Sequence, residues 1–161
     1  MRSARTASDS AITADVLSEV LQEYAGRSIF FDQMCCVYPC VPFLTGERLR
    51  LAWLYWRETG KPALMPVCRY PVPVEWAMKI DRDGCLIPDS PEKQLLRSQD
   101  LVPKYFDVGM FYFYETRKFL DAVHGQVFPC AGYELPESEV QDIDTEEDWK
   151  IAEMKYRLLR G

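Results

Sequence analysis

Asp142 and Asp144 stand two residues apart in the stretch "EVQDIDTEEDWKIAE", ahead of a run with helical periodicity. In an extended segment, side chains two apart point to the same side. Two carboxylates aimed at one spot repel each other unless a cation sits between them. Hard oxygen ligands with spare positions for water and phosphate suit Mg²⁺. The same residues can also begin a helix. Thr145 and Asp148 have the spacing of a capping box, and Glu146, Glu147 and Asp148 favour the positive end of the helix dipole. Capping accounts for Thr145 to Asp148 but has no use for Asp142, so spacing alone leaves both readings open.

Other chemistries have less support. His124 is the only histidine, which leaves little room for a His-dependent triad. The six cysteines, Cys35, Cys36, Cys40, Cys68, Cys85 and Cys130, form no CxxC pair. A zinc site would therefore need a cysteine-dominated set with unusual spacing. Several of these cysteines lie in apolar contexts where a thiol packs as a small hydrophobe. A net charge of −6 argues against nucleic acid or an anionic membrane surface as the partner. No run of 18 apolar residues appears, and "MRSARTASDS" lacks the apolar stretch of a signal peptide, so the expected location is the cytoplasm, with reduced thiols.

The elements that must position these residues read as follows. Of the 161 residues, 48% are hydrophobic and 27% charged, the mix of a single globular domain over 1–161. Helices are predicted over "TADVLSEVLQEYA" (Thr13 capping, Gly26 stopping), after Thr45 up to Gly60, over "ETRKFLDAV", and after Asp144 to about Leu159. Strands are predicted at "DQMCCVYP" (buried), "ALMPVCRY", "VEWAMKI", "VGMFYFY", "GQVFPC" and "EVQDID", with a tight turn at "DRDG" and an irregular 86–104. Such alternation predicts an α/β sandwich with a largely parallel sheet, whose ligands bind beyond the carboxyl ends of the strands.

"VQDIDTEEDWKIAE" resembles the C-terminal signature of the acylneuraminate cytidylyltransferases, which make CMP-activated sialic and related nonulosonic acids. "TADVL", "CCVYPCVPFLTGERL" and "RSQDLVPKYFDVGMFYFY" match the family in the same order, in a form similar to its pseudaminic acid branch, over about residues 2 to 158. The resemblance implies a three-layer α/β/α, Rossmann-like sandwich of the nucleotide-diphospho-sugar transferase kind. It implies that CTP and a nonulosonic acid react to give the CMP-sugar and pyrophosphate. Asp142 and Asp144 would hold Mg²⁺, Arg97 would reach the sugar carboxylate, and Gln99, Asp107 and Tyr112 would shape the sugar pocket. A homo-oligomer is implied on family grounds alone. Taken by themselves, Arg97 reads equally as a solvated loop charge, Gln99 and Asp107 as binders of loop backbone, and Tyr112 as core.

Departures from the family pattern bear on the substrate. Cys40 stands where the family usually carries Thr after the first proline of the loop. Glu75 and Trp76 in "YPVPVEWA" replace a Gln-Arg pair of the pseudaminic branch, and Phe106 stands where that branch often has His. The family opens with a strand and a Gly/Arg/Lys-rich loop that cradles the triphosphate. Here the eight glycines are scattered singly. The expectation is therefore the C-terminal two-thirds of a cytidylyltransferase domain, without its first strand and nucleotide loop and inactive alone. The alternatives are a non-catalytic α/β binding or assembly protein, or an Asp-x-Asp glycosyltransferase. The latter is disfavoured because its aspartate pair usually comes mid-chain.

Overall fold

The computed structural model describes residues 3, 6–8, 11–122 and 129–160. The chain is mixed α/β and divides into two compact units, each built from two stretches: 1–65 with 110–133, and 66–109 with 134–161. Among the described residues no helix is long and apolar enough to cross a membrane.

The first unit contains helix α1 (Thr13–Ala25), strand β1 (Gln33–Val37), helix α2 (Gly46–Thr59) and the start of strand β2 (Ala63–Arg69). Both ends of α2 form as their residues dictate. Thr45 Oγ1 accepts the Arg48 N–H at 3.1 Å, and Gly60 closes the helix at φ 61°, a left-handed conformation that only glycine takes cheaply. The buried stripe of α2 is Ala52 and Trp56. The Trp56 ring stacks 5.5 Å from Phe113, and its Nε1–H donates to Lys61 O at 2.8 Å. Helix α1 has the expected bounds, but the expected caps do not form. Ile12, not Thr13, occupies the N-cap, Gly26 stays right-handed at φ −61°, and Ser28 at φ 60° is the residue that turns left-handed.

Sheet order departs from the expected parallel arrangement. Strand β6 (Phe111–Glu115) pairs antiparallel with β1, Cys36 facing Tyr112, and antiparallel with the start of β2, Leu64 facing Phe113. Strands β1 and β2, joined through α2, thus run in the same direction but are separated by β6. Alternation of elements along the chain predicted a largely parallel sheet; the apolar aromatic run of β6 instead lies antiparallel between β1 and β2. Strand β1 is also less buried than expected, with Cys35 and Val37 exposed. Helix α3 (Thr116–Asp121) follows β6 directly, and strand β7 (Cys130–Glu134) pairs with β2. Most of the predicted strand "GQVFPC" lies outside the described residues.

In the second unit the end of β2 pairs antiparallel with β5 (Tyr105–Asp107), Val67 facing Asp107. Pro66, fully buried, lies between the two ladders of β2, and its carbonyl accepts the Val108 N–H at 3.3 Å. The predicted strand "VEWAMKI" is instead a 3-10 turn at Val74–Trp76 followed by β3 (Met78–Ile80). "DRDG" turns as predicted, Gly84 at φ 83° and Asp81 Oδ1 accepting two backbone N–H groups. It leads into an unpredicted β4 (Leu86–Pro88), antiparallel to β3. The predicted strand "EVQDID" is a 3-10 turn (Glu137–Glu139) and then irregular backbone leading to α4 (Glu146–Arg160).

Candidate functional site: the acidic helix start and the charged cavity

The start of α4 is held from both sides. Lys155 reaches back along the helix and donates from Nζ to the carbonyls of Glu137 and Val140, at 3.1 and 2.7 Å. Thr145 and Asp148 close a reciprocal capping box. The Asp148 N–H donates to Thr145 Oγ1 at 3.2 Å, while Asp148 Oδ2 accepts from Thr145 N–H at 2.8 Å and from its hydroxyl at 2.7 Å. The Thr145 hydroxyl, with the Thr145 and Asp144 N–H groups, holds the Asp148 carboxyl below the usual aspartate range. Asp148, rather than either member of the 142/144 pair, carries the cap.

Asp142 and Asp144 are both exposed, and Ile143 between them is partly buried. Asp142 Oδ1 accepts the neighbouring Ile143 N–H at 3.1 Å. Asp144 contributes its backbone N–H to the cap, and among the described residues its carboxylate has no hydrogen-bond partner. Among the described residues no group of three or more His, Cys, Asp or Glu side chains gathers where a metal could be held. What the segment offers is two carboxylates with open oxygens. That fits Mg²⁺, which is commonly held by one or two carboxylates with water and substrate phosphate completing its shell.

The other predicted residues fall as follows. Arg97 heads the 3-10 turn Ser98–Asp100 that carries Gln99, and both side chains are exposed. Asp107 ends β5, and its Oδ1 accepts the Gly109 N–H at 3.0 Å where Gly109 turns at φ 63°. These three and the aspartate pair belong to the second unit, whereas Tyr112 belongs to the first. Tyr112 is 7% exposed, its ring 5.5 Å from Tyr38 and 6.4 Å from Tyr114.

Two features had no signal in the sequence. Glu75 is buried, and its Oε1 is 2.8 Å from Lys104 Nζ; that ammonium holds the Glu75 carboxyl below the usual range. Lys104 in turn lines a cavity of the second unit, together with Arg69, Glu134 and Glu137. Glu75 was visible only as a substitution in "YPVPVEWA"; its partner lies far along the chain. At the cavity wall Cys68 is buried, and burial with the Glu137 and Glu134 charges pushes its thiol pKa up, so the thiol stays protonated.

The chain is thus a mixed α/β protein with two exposed aspartates just ahead of its last helix. No protein-family model matches the chain. Curated relatives do. The pseudaminic acid cytidylyltransferases of two Campylobacter jejuni strains, serotypes O:2 and O:23/36, are each 24% identical to it over 163 aligned positions, covering 98% of this chain and 68% of theirs. The CMP-N,N'-diacetyllegionaminic acid synthase of Legionella pneumophila is 25% identical over 159 positions, with the same coverage of 98% and 68%. The chain is homologous to the CMP-nonulosonate synthetases, a family of nucleotidyltransferases.

Proposed function

We propose that this chain serves a cytidylyltransferase that joins CMP to a nonulosonic acid of the pseudaminic or legionaminic kind. In that reaction the anomeric hydroxyl attacks the α-phosphate of CTP in line, loses its proton, and displaces pyrophosphate. Such transfers depend on positioning and on neutralising phosphate charge. One observation carries the reading to these residues: Thr145 and Asp148 cap α4 with their own side chains, leaving the Asp142 and Asp144 carboxylates exposed and outside the cap. These two would hold Mg²⁺, which when bound supplies a Lewis acid and clamp for the phosphate oxygens. Arg97, Gln99, Asp107 and Tyr112 are the proposed sugar-side residues. The three-layer sandwich belongs to the same reading, supported by β1 and β2 running in one direction through α2.

A second reading, a non-catalytic binding or assembly protein, is favoured by one feature. The eight glycines occur singly, so these 161 residues carry no glycine-rich phosphate cradle. Loss of one preorganised donor to developing charge costs about 10²–10³ in rate, and loss of a cradle should cost more. The test is pyrophosphate release from CTP, Mg²⁺ and pseudaminic acid. It is run on the 161-residue chain and on a chimera carrying the part of the Campylobacter protein that the match leaves uncovered. Turnover by the chimera alone is the expected result. A folded chimera that binds the sugar acid yet releases no pyrophosphate would favour the non-catalytic reading.

A further inference from the structure

The cavity of the second unit has a volume of about 340 Å³, at the lower end of the range of about 300–1,000 Å³ found for small-molecule sites. Pro71, Pro73 and Pro103 stiffen its wall, and it is lined by two cations, Arg69 and Lys104, and two anions, Glu134 and Glu137. Ser98 lines it as well, whereas its neighbour Arg97 does not.

Behind the wall stands Glu75. Its side chain is 7% exposed against 48% for Lys104, and Oε1 meets the Lys104 ammonium at 2.8 Å. The other oxygen, Oε2, is buried without a partner on any other described residue. A buried carboxylate is costly unless paired, and breaking a buried pair leaves an uncompensated charge. The pair therefore holds. A lysine side chain loses considerable rotamer freedom when it is fixed; Glu75 imposes that fixing before any ligand arrives. The Lys104 backbone is pinned too, its carbonyl accepting the Tyr70 N–H at 3.0 Å. The result is a lysine side chain preset at the cavity and about half exposed.

A neutral polyol would have no use for that ammonium, and a ligand carrying several negative charges would meet Glu134 and Glu137. A ligand with one acid group and several N–H or O–H donors satisfies both signs. We infer that the cavity takes a polyhydroxylated sugar acid, with Lys104 receiving its carboxylate, Glu75 acting as the positioning residue for Lys104, and Glu134 and Glu137 accepting from its donors. This rests on the nonulosonate reading for the identity of the acid, and it gives Lys104 the role that the family resemblance gave Arg97.

The experiment is calorimetric or saturation-transfer binding on the 161-residue chain, with N-acetylneuraminic acid, its methyl ester and glucuronate as probes. A charge-assisted bond to the carboxylate should favour acid over ester by about tenfold to a hundredfold. Lys104→Met should bring acid and ester to equal affinity, and Lys104→Arg should keep most of the preference. Glu75→Gln should weaken the acid while leaving the ester unchanged, an outcome that mere loss of fold cannot produce. Lys104→Arg keeps a cation beside Glu75, so that variant and the wild-type comparison of acid with ester test the idea even if Glu75→Gln or Lys104→Met misfolds. No binding of either acid by the wild type, equal binding of acid and ester, or loss of the preference in Arg97→Met but not Lys104→Met, overturns the assignment. Lys104-dependent binding of glucuronate without neuraminic acid binding would keep the cavity's role and sink the nonulosonate reading instead.

Discussion

Replacing Thr145 by Ala and Asp144 by Asn separates the two uses of the 142–148 segment. Thr145 Oγ1 accepts the Asp148 N–H at 3.2 Å and donates to Asp148 Oδ2 at 2.7 Å. Its removal strips both bonds from the first turn of α4. Loss of an N-cap hydroxyl typically costs about 1 kcal/mol, which in a chain of this size lowers the melting temperature by about 2–4 °C. Asp144 gives the cap only its backbone N–H, at 3.3 Å, and asparagine keeps that group. Asp144→Asn should therefore stay within about 0.5 kcal/mol of wild type, while removing one of the two carboxylates proposed to hold the cation. The assay pairs thermal melts with NMR, using Mn²⁺ as a paramagnetic stand-in for Mg²⁺ that broadens nearby amide signals. Thr145→Ala should melt earlier and keep the broadening at residues 141–146; Asp144→Asn should melt with wild type and lose it. The reasoning fails if Asp144→Asn melts as early as Thr145→Ala and still shows the broadening. The aspartate pair would then be a helix start and nothing more.

Three further outcomes follow from the structure. Leu64 is fully buried opposite Phe113, so Leu64→Ala should cost about 2–5 kcal/mol in a denaturant titration; a loss near zero would place Leu64 outside the core. The Asp148 carboxyl titrates below its unfolded value, so its contribution to stability is present above the ordinary aspartate pKa of about 3.9. That contribution fades as pH falls through the lowered folded value, and an acid titration should show it in wild type but reduced in Thr145→Ala. Although Cys35 is exposed as a residue, partial desolvation of its sulfur, and secondarily the neighbouring Cys36, pushes the thiol up to about 11. At pH 8 only about one Cys35 in a thousand is thiolate, so iodoacetamide should label Cys35 slowly until the chain is denatured, as peptide mass mapping can follow.

Local features were legible in the sequence because their causes are local. Thr45 and Gly60 bracket α2, Thr145 and Asp148 form the box expected of them, and "DRDG" turns on Asp81 and Gly84. Pairing was not legible. Nothing in "FYFYE" says that it will lie antiparallel between β1 and β2, because that choice is made by partners distant in sequence. "EVQDID" alternates as a strand does, and the alternation survives in the exposed Asp142, half-buried Ile143 and exposed Asp144. With no partner strand among the described residues, the segment remains irregular. The Glu75–Lys104 pair was invisible for the same reason: each residue alone is an ordinary surface charge, and only folding buries one and aims the other.

Pro66 has a consequence for fidelity of assembly. Strand β2 changes partners along its length: Leu64 faces β6, and Val67 faces β5. The residue between them lacks the N–H that a ladder position requires. A strand that slips by two residues keeps its side chains on their proper faces, so burial alone polices such errors poorly. Here a slip of that size in either direction would carry Pro66 into one of the two ladders, at a cost of about 1 kcal/mol for each bond left unmade. The proline thus acts as a proofreading mark, tolerated at the junction and penalised on either side of it.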